Sequence, residues 1–272
     1  MTIHPGNFFP VRLFWMAMEC VVVTISYLMG SIPFGYLVAR SRGMDIREHG
    51  SGNIGATNVM RVLGKGPGYT VFACDTLKGL LAVMVGKYIA SHWALGISQS
   101  GDAYSGVTYL YRTIRVHDTT FPLHGLTFAG HVYWPAFFPV PIAAITAAII
   151  CIIGHNFPVW LGFKGGKGMA TSAGVLIGMM PLVAIGCMTV WVIIFFATRY
   201  VSLASIAAAI ALPVWTMIFL LTGLMSGWPY FYFAVVACLL AVWRHRSNIV
   251  RLMNGTENRF EKKPKVEPAP PQ

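Results

Sequence analysis

Four short polar segments group side chains and backbone amides that could bind or move charge. The first is GSGNIGATN at residues 50–58, closed by Arg61 and followed by Gly64, Gly66 and Gly68. Glycines let a backbone approach a ligand closely and turn its amides inward, while Ser51, Asn53, Asn58 and Arg61 offer directional donors suited to phosphate oxygens. The segment is neither a GxxxxGKS/T phosphate loop nor a GxSxG nucleophile turn. A flexible interhelical turn is the plainer account of its glycines and asparagines taken alone.

The second segment is KGGKG at 164–168, followed by Ala170, Thr171 and Ser172. Lys164 and Lys167 place two ammonium groups, and Gly165 and Gly166 a run of amides, at the expected start of a helix, whose positive end favours an anion. A basic loop that only sets topology needs the charge but not three glycines in five residues. The third segment, from Arg199, carries Ser202 and Ser205. The fourth carries His245, Arg246, Asn248 and Arg251, with Glu257 beyond. Each of these two is weak by itself, because Arg and His beside a membrane helix commonly serve as interface anchors.

Asp75 and Lys78 lie near the start of an apolar run, where charge is expensive and points to a protein-lined site. His155 closes another apolar run beside Asn156 and Pro158, and packing at an interface accounts for it as well as a site role does. The nine carboxylates are dispersed, and the five cysteines stand singly with no CxxC spacing, so no metal centre and no cofactor are expected.

The elements that must position these groups are apolar. Of 272 residues 56% are hydrophobic and 11% charged, against about 25% charged in a soluble domain. Runs near the roughly 20 residues needed to cross a bilayer recur along the chain. The first, at 14–39, leads straight into the first polar segment and reads as a retained span rather than a cleaved signal. Others cover 69–90, 139–160, 203–223 and 229–243. Residues 171–198 are long enough for one tilted helix or for two short ones broken around Pro181, whose ring removes a backbone donor.

The net charge of +11 is concentrated in the short polar segments, as expected for cytoplasmic loops and phosphate sites rather than for a nucleic-acid surface. Placing Arg40, Arg42, Arg47, Lys164, Lys167, Arg199 and the 244–246 cluster on one side requires two crossings between 171 and 198. The expected architecture is therefore an all-α polytopic membrane protein with seven transmembrane helices, N-terminus outside and C-terminus cytoplasmic. One domain covers 1–260, with 91–135 as an external insertion and 261–272 as a disordered, Pro-rich tail. All four segments, with Asp75 and Lys78, then share one face of the membrane, which implies an anionic ligand.

These motifs resemble the acyl-phosphate-dependent glycerol-3-phosphate acyltransferase family, often called PlsY. The resemblance rests on GSIPFG at 30–35, GSGNIGATN with Arg61, Asp75 with Lys78 and Gly79, GHNFP at 154–158, FKGGKGMAT at 163–171, RYVSLASI at 199–206 and HRSNIVRLMNGTE at 245–257, in that order. The chain departs from the family pattern in the length of 91–135, in Met169 where Val is usual, and at residues 52–54, where a proline is frequent.

The resemblance implies seven transmembrane helices in the bacterial inner membrane and an active site facing the cytoplasm. It also implies attack of the 1-hydroxyl of glycerol 3-phosphate on an acyl phosphate. Ser51, Asn53 and Arg61 are then expected at one phosphate and Lys164, Lys167 and the neighbouring amides at another, with which is which left open. Ser51, Arg61, Lys167 and His245 form the expected catalytic set. Asn53, Asn58, Asp75, Lys78, His155, Lys164, Gly165, Gly166, Ser202, Ser205 and Asn248 form the expected binding set. His245, His155 or the leaving phosphate itself could take the proton. The expected partners are glycerol 3-phosphate, acyl phosphate and membrane lipid, with a monomer and no nucleic acid. No His is followed at the fifth position by Asp, the pattern of acyltransferases that use thioester donors. A transporter of phosphorylated metabolites and a lipid-binding structural subunit are the rival classes, but no self-similarity between the halves supports an inverted-repeat transporter.

Overall fold

The computed structural model describes residues 9–99, 107–116, 119–128, 131–133, 139–225 and 227–260. In chain order the helices are α1 (Phe9–Ser31), α2 (Phe34–Arg40), α3 (Ala56–Leu63), α4 (Lys65–Gln99), α5 (Pro139–Asn156), α6 (Met169–Met179), α7 (Pro181–Thr198), α8 (Val201–Leu221), α9 (Trp228–Arg244) and α10 (Arg246–Met253). Three strands, β1 (Val107–Val116), β2 (Thr119–Phe128) and β3 (His131–Tyr133), form an antiparallel meander in the order β1-β2-β3. They fall inside the 91–135 excursion and add to an otherwise helical architecture. The expectation of an all-α chain holds for the apolar framework and not for this segment. The terminal tail at 261–272 lies outside the described residues.

Among the described residues, five helical segments are long and apolar enough to cross a membrane: Met16–Arg40, Lys65–Ser91, Pro141–Leu161, Pro181–Thr198 and Val201–Leu221. Trp228–Arg244 with Arg246–Met253, bent by 56°, makes a sixth if taken as one span. Along these segments Leu77, Ile185, Phe196, Ile210 and Leu239 point outward, the arrangement suited to lipid as solvent. Prolines set the breaks. Pro33 cannot donate to the preceding turn and divides the expected first span into α1 and α2. Pro181 opens α7 at a position where a missing N–H costs nothing, so 171–198 is broken where the sequence suggested. At 11 residues, α6 is a short apolar helix.

The chain divides into two compact units, 1–181 and 182–272. In the first, α4 packs on α6 and α1 on α5, each through reciprocal close approaches of small residues, the interface chemistry favoured between membrane helices. Gly79 lies against the Thr171 carbonyl while Gly174 lies against that of Thr76, so neither position has room for a Cβ. Gly30 and Gly154 play the same part between α1 and α5. Two apolar clusters lie along α4. One contains Val71 with Ala39, Ile46, Ile54 and Val59; the other contains Ala90 with Met18, Val22, Ala143 and Ala147. The charged positions 75 and 78 fall between them in sequence. In the second unit, α8 packs against α9 and Gly186 of α7 sits against the Trp215 ring of α8.

Candidate functional site

In the first unit the loop at 50–58 is tied down by one buried side chain. The Asn58 amide donates to the carbonyls of His49 (3.0 Å) and Asn53 (2.9 Å) and accepts from the Ser51 N–H (2.8 Å). Its hydrogen-bonding capacity is thus spent on backbone, which makes it a shaper of the loop rather than the ligand-binding residue expected from sequence. Gly50 and Gly52 take left-handed φ values of 63° and 68°, conformations that glycine supplies without strain. Asn53 accepts from the Gly55 N–H at 2.8 Å. Ser51 and Arg61 lie exposed at the rim.

Before the loop, Asp45 accepts from the Arg47 backbone N–H at 3.0 Å and pairs with its guanidinium at 2.6 Å. Those hydrogen bonds hold the Asp45 carboxyl down at about 2. Ile54, inside the loop, belongs to the apolar cluster around Val71, and Leu161, just before the second basic segment, packs against that same cluster. The two basic segments of the first unit are therefore seated on a common apolar base.

The segment at 164–168 has no regular secondary structure and leads directly into α6, with Gly168 in left-handed backbone at φ 79°. Gly162 and Phe163 both adopt left-handed backbone, with φ of 59° and 62°; for Phe163 that is a strained conformation of a kind concentrated at functional sites. The Gly165 N–H donates to the Asn156 carbonyl (3.2 Å) and the Gly166 N–H to the His155 carbonyl (3.1 Å). These two amides were expected to face an anion, and the structure turns them onto the end of α5 instead. The first intrahelical bond of α6 runs from Ser172 N–H to the Gly168 carbonyl, so the amides of residues 169–171 precede any intrahelical acceptor. Together with Lys167, half-buried, and Lys164, exposed, they are the groups here suited to an anion.

Asp75, Lys78 and His155 form a buried cluster behind that segment. The Asp75 carboxylate lies 2.8 Å from Lys78 Nζ and 3.6 Å from His155 Nδ1, with all three side chains 5% exposed or less. Lys78 also donates to the Ile32 carbonyl at 2.8 Å, where α1 breaks, and lies over the Phe34 ring. The sequence reading put these charges at a protein-lined site and in the binding set; the structure pairs them with one another, which is how charge is tolerated away from water.

The second unit has its own polar centre. His245 Nδ1 sits 2.8 Å from the Ala241 carbonyl, which assigns the proton of a neutral ring to Nδ1 and leaves Nε2 as its acceptor nitrogen. The buried Asn248 amide donates to Glu257 Oε1 (2.7 Å) and Arg251 Nε to Glu257 Oε2 (2.8 Å). Burial pushes the Glu257 carboxyl up, but these bonds, with a contribution from the Ser202 hydroxyl, outweigh it and hold the group below its ordinary value. Ser205 accepts from Trp191 Nε1 at 3.2 Å. The Phe260 N–H donates to the Arg199 carbonyl at 2.9 Å, folding the chain back toward the start of α8. Sequence reasoning gave Glu257 and Arg251 no site role, because nothing local shows that the carboxylate returns to Asn248; only its place at the end of the 245–257 motif hinted at it. Among the described residues there is no group of three or more His, Cys, Asp or Glu side chains placed to hold a metal ion.

Residues 20–255 match the family described as glycerol-3-phosphate acyltransferase. A relative of that name from Thermosynechococcus vestitus is 41% identical over 241 residues, covering 88% of this chain and 94% of its own length. Another from Halalkalibacterium halodurans is 36% identical over 256 residues, covering 91% and 98%. Among solved structures, PlsY, an integral membrane glycerol 3-phosphate acyltransferase, in its glycerol 3-phosphate form superposes with a TM-score of 0.64 at 34% identity, over 89% of this chain and 96% of that one. Its lysophosphatidic acid form gives 0.63.

Proposed function

We propose, from the premise that this chain belongs to the glycerol-3-phosphate acyltransferase family, that its acyl donor is a long-chain acyl phosphate and its acceptor the 1-hydroxyl of glycerol 3-phosphate. The products are 1-acylglycerol 3-phosphate and inorganic phosphate, the first acylation of phospholipid synthesis. The observation that carries the donor assignment is the pair of glycine-rich basic segments of the first unit on one apolar base. Glycerol 3-phosphate brings one phosphate, and an acyl phosphate brings the second.

Ser51 and Arg61, on the loop shaped by Asn58, serve one phosphate. Lys164, Lys167 and the first amides of α6 serve the other. In the second unit His245 and Asn248 orient the glycerol moiety. The hydroxyl attacks the acyl carbonyl, charge builds on the carbonyl oxygen, and the C–O bond to phosphate breaks as that oxyanion collapses. Donors held in place before the reaction stabilise this charge without reorganisation, by about 3–4 kcal/mol for a well-placed group. The attacking hydroxyl's proton passes to His245 Nε2 or to the departing phosphate, which is basic enough to take it. An acyl phosphate is already activated, so the step calls for no cofactor.

The chain crosses the bacterial inner membrane seven times in this reading, with α1 and α2 as one span and α6 counted as a short one. Its N-terminus is outside, and its basic segments and C-terminus are in the cytoplasm. Charge favours the seventh crossing, since without α6 Lys164 and Lys167 fall on the face opposite Arg199.

The test is donor choice. Purified protein with glycerol 3-phosphate should form lysophosphatidate from palmitoyl phosphate and not from palmitoyl-CoA. Turnover with the thioester alone would overturn the donor assignment and leave family membership intact.

A further inference from the structure

We propose that Asp75 is a positioning residue for the reaction, acting through His155 on the glycine-rich segment at 164–168. The proposal rests on the reading of that segment as a phosphate site. With its side chain 2% exposed, Asp75 is sealed from any substrate. A buried ion pair is a poor way to gain stability, since well-packed apolar side chains do as well or better. What an apolar replacement cannot do is fix the orientation of an imidazole.

The geometry shows what that orientation controls. His155 Nδ1 faces Asp75 at 3.6 Å, while Nε2 on the other side of the ring occupies the space that a Cβ on Gly166 would need. The His155 carbonyl holds the Gly166 N–H, and the Asn156 carbonyl holds that of Gly165. The His155 ring and carbonyl thus form the floor under Gly166, with the Asn156 carbonyl beside it at Gly165, and Lys167 and the start of α6 follow immediately. Releasing the ring shifts Gly166, and with it the ammonium group and amides placed for phosphate. The same carboxylate holds Lys78, which grips the Ile32 carbonyl at the entry to α2. Gly35 of α2 in turn presses on the Ile54 carbonyl of the first loop. One buried carboxylate therefore braces the supports of both basic segments.

Steady-state kinetics of the full-length protein with palmitoyl phosphate and glycerol 3-phosphate test this through Asp75→Asn, Lys167→Ala and the double variant. Asp75→Asn is expected to raise the KM for a phosphate-bearing substrate in the folded fraction, alongside the drop in melting temperature that an unpaired buried Lys78 brings. The double variant should lose less than the product of the two single losses, because residues acting partly through one segment do not add. Losses that multiply in the double variant, or unchanged kinetics in Asp75→Asn, overturn the proposal. A Lys167→Ala variant with wild-type kinetics overturns the phosphate-site reading itself, and that arm involves no change at Asp75.

Should Asp75→Asn fail to accumulate, Gly166→Ala and His155→Ala carry the test. Displacing the segment by about 1 Å should cost Gly166→Ala about 100-fold. Removing the ring makes room for the new methyl, so the double variant should match His155→Ala. A further loss in that double variant overturns the proposal.

Discussion

At the residue scale, Asn58 and Glu257 do parallel work in their separate units, each converting a stretch of chain into a shaped surface by filling its hydrogen-bonding capacity with neighbours. In the proposed function Ser51 and Arg61 act beside the first of these surfaces, His245 beside the second, and Lys167 on the segment before α6. Ser51→Ala, Arg61→Ala, Lys167→Ala and His245→Ala should each lower kcat by about 100-fold or more with the protein still folded, as loss of a transition-state donor does; near-normal turnover in all four would contradict the assignment. Glu257 gives a pH prediction with a definite sign. An ordinary glutamate titrates near 4.3, and a carboxyl held lower than that in the fold binds fewer protons than it does in the unfolded chain. Its stabilisation is complete above the ordinary value and disappears as pH falls through the lowered one. Glu257→Gln should therefore melt below wild type at pH 7, by the equivalent of about 1 kcal/mol, and the gap in Tm should close as pH falls below the ordinary glutamate range. A gap that widens in acid would show that the carboxylate is not the stabilising form.

At the element scale, glycine placement decides which helices can cross. Gly174→Ala drives a methyl into the Thr76 carbonyl, a backbone atom that cannot rotate away, and should cost about 2 kcal/mol or more of stability. Gly66→Ala, with nothing within 4 Å of the new Cβ, should be neutral or stabilising by up to about 1 kcal/mol, since alanine favours a helix. Comparable losses in thermal unfolding at both sites would contradict the packing. This scale was also the most legible in the sequence. Long apolar runs announced α4, α5, α8 and α9, and Pro181 announced the break between α6 and α7. Pro33 marks the break after α1, but the apolar run on both sides of it reads as one span. The short helices α3 and α10 stayed hidden because eight residues are too few to read as a span, although both are strongly amphipathic. The β meander stayed hidden because a mixed polar composition was read only as a non-spanning excursion. Roles that depend on a partner far along the chain, such as that of Asp75 at His155, are invisible to spacing.

At the scale of the whole molecule, charge and helix length together set the topology and hence the compartment of the reaction. With the native cysteines replaced, Lys65→Cys and Arg259→Cys should react with an impermeant thiol reagent only from the cytoplasmic side of sealed vesicles, and Asp102→Cys only from the outside. Labelling of positions 65 and 259 from opposite faces would remove one crossing and break the seven-span reading. Purified wild-type protein should release one inorganic phosphate from palmitoyl phosphate for each lysophosphatidate formed, and none when glycerol 3-phosphate is omitted. Lysophosphatidate formed without stoichiometric phosphate, or phosphate released without acceptor, would contradict the proposed acyl transfer from acyl phosphate to glycerol 3-phosphate.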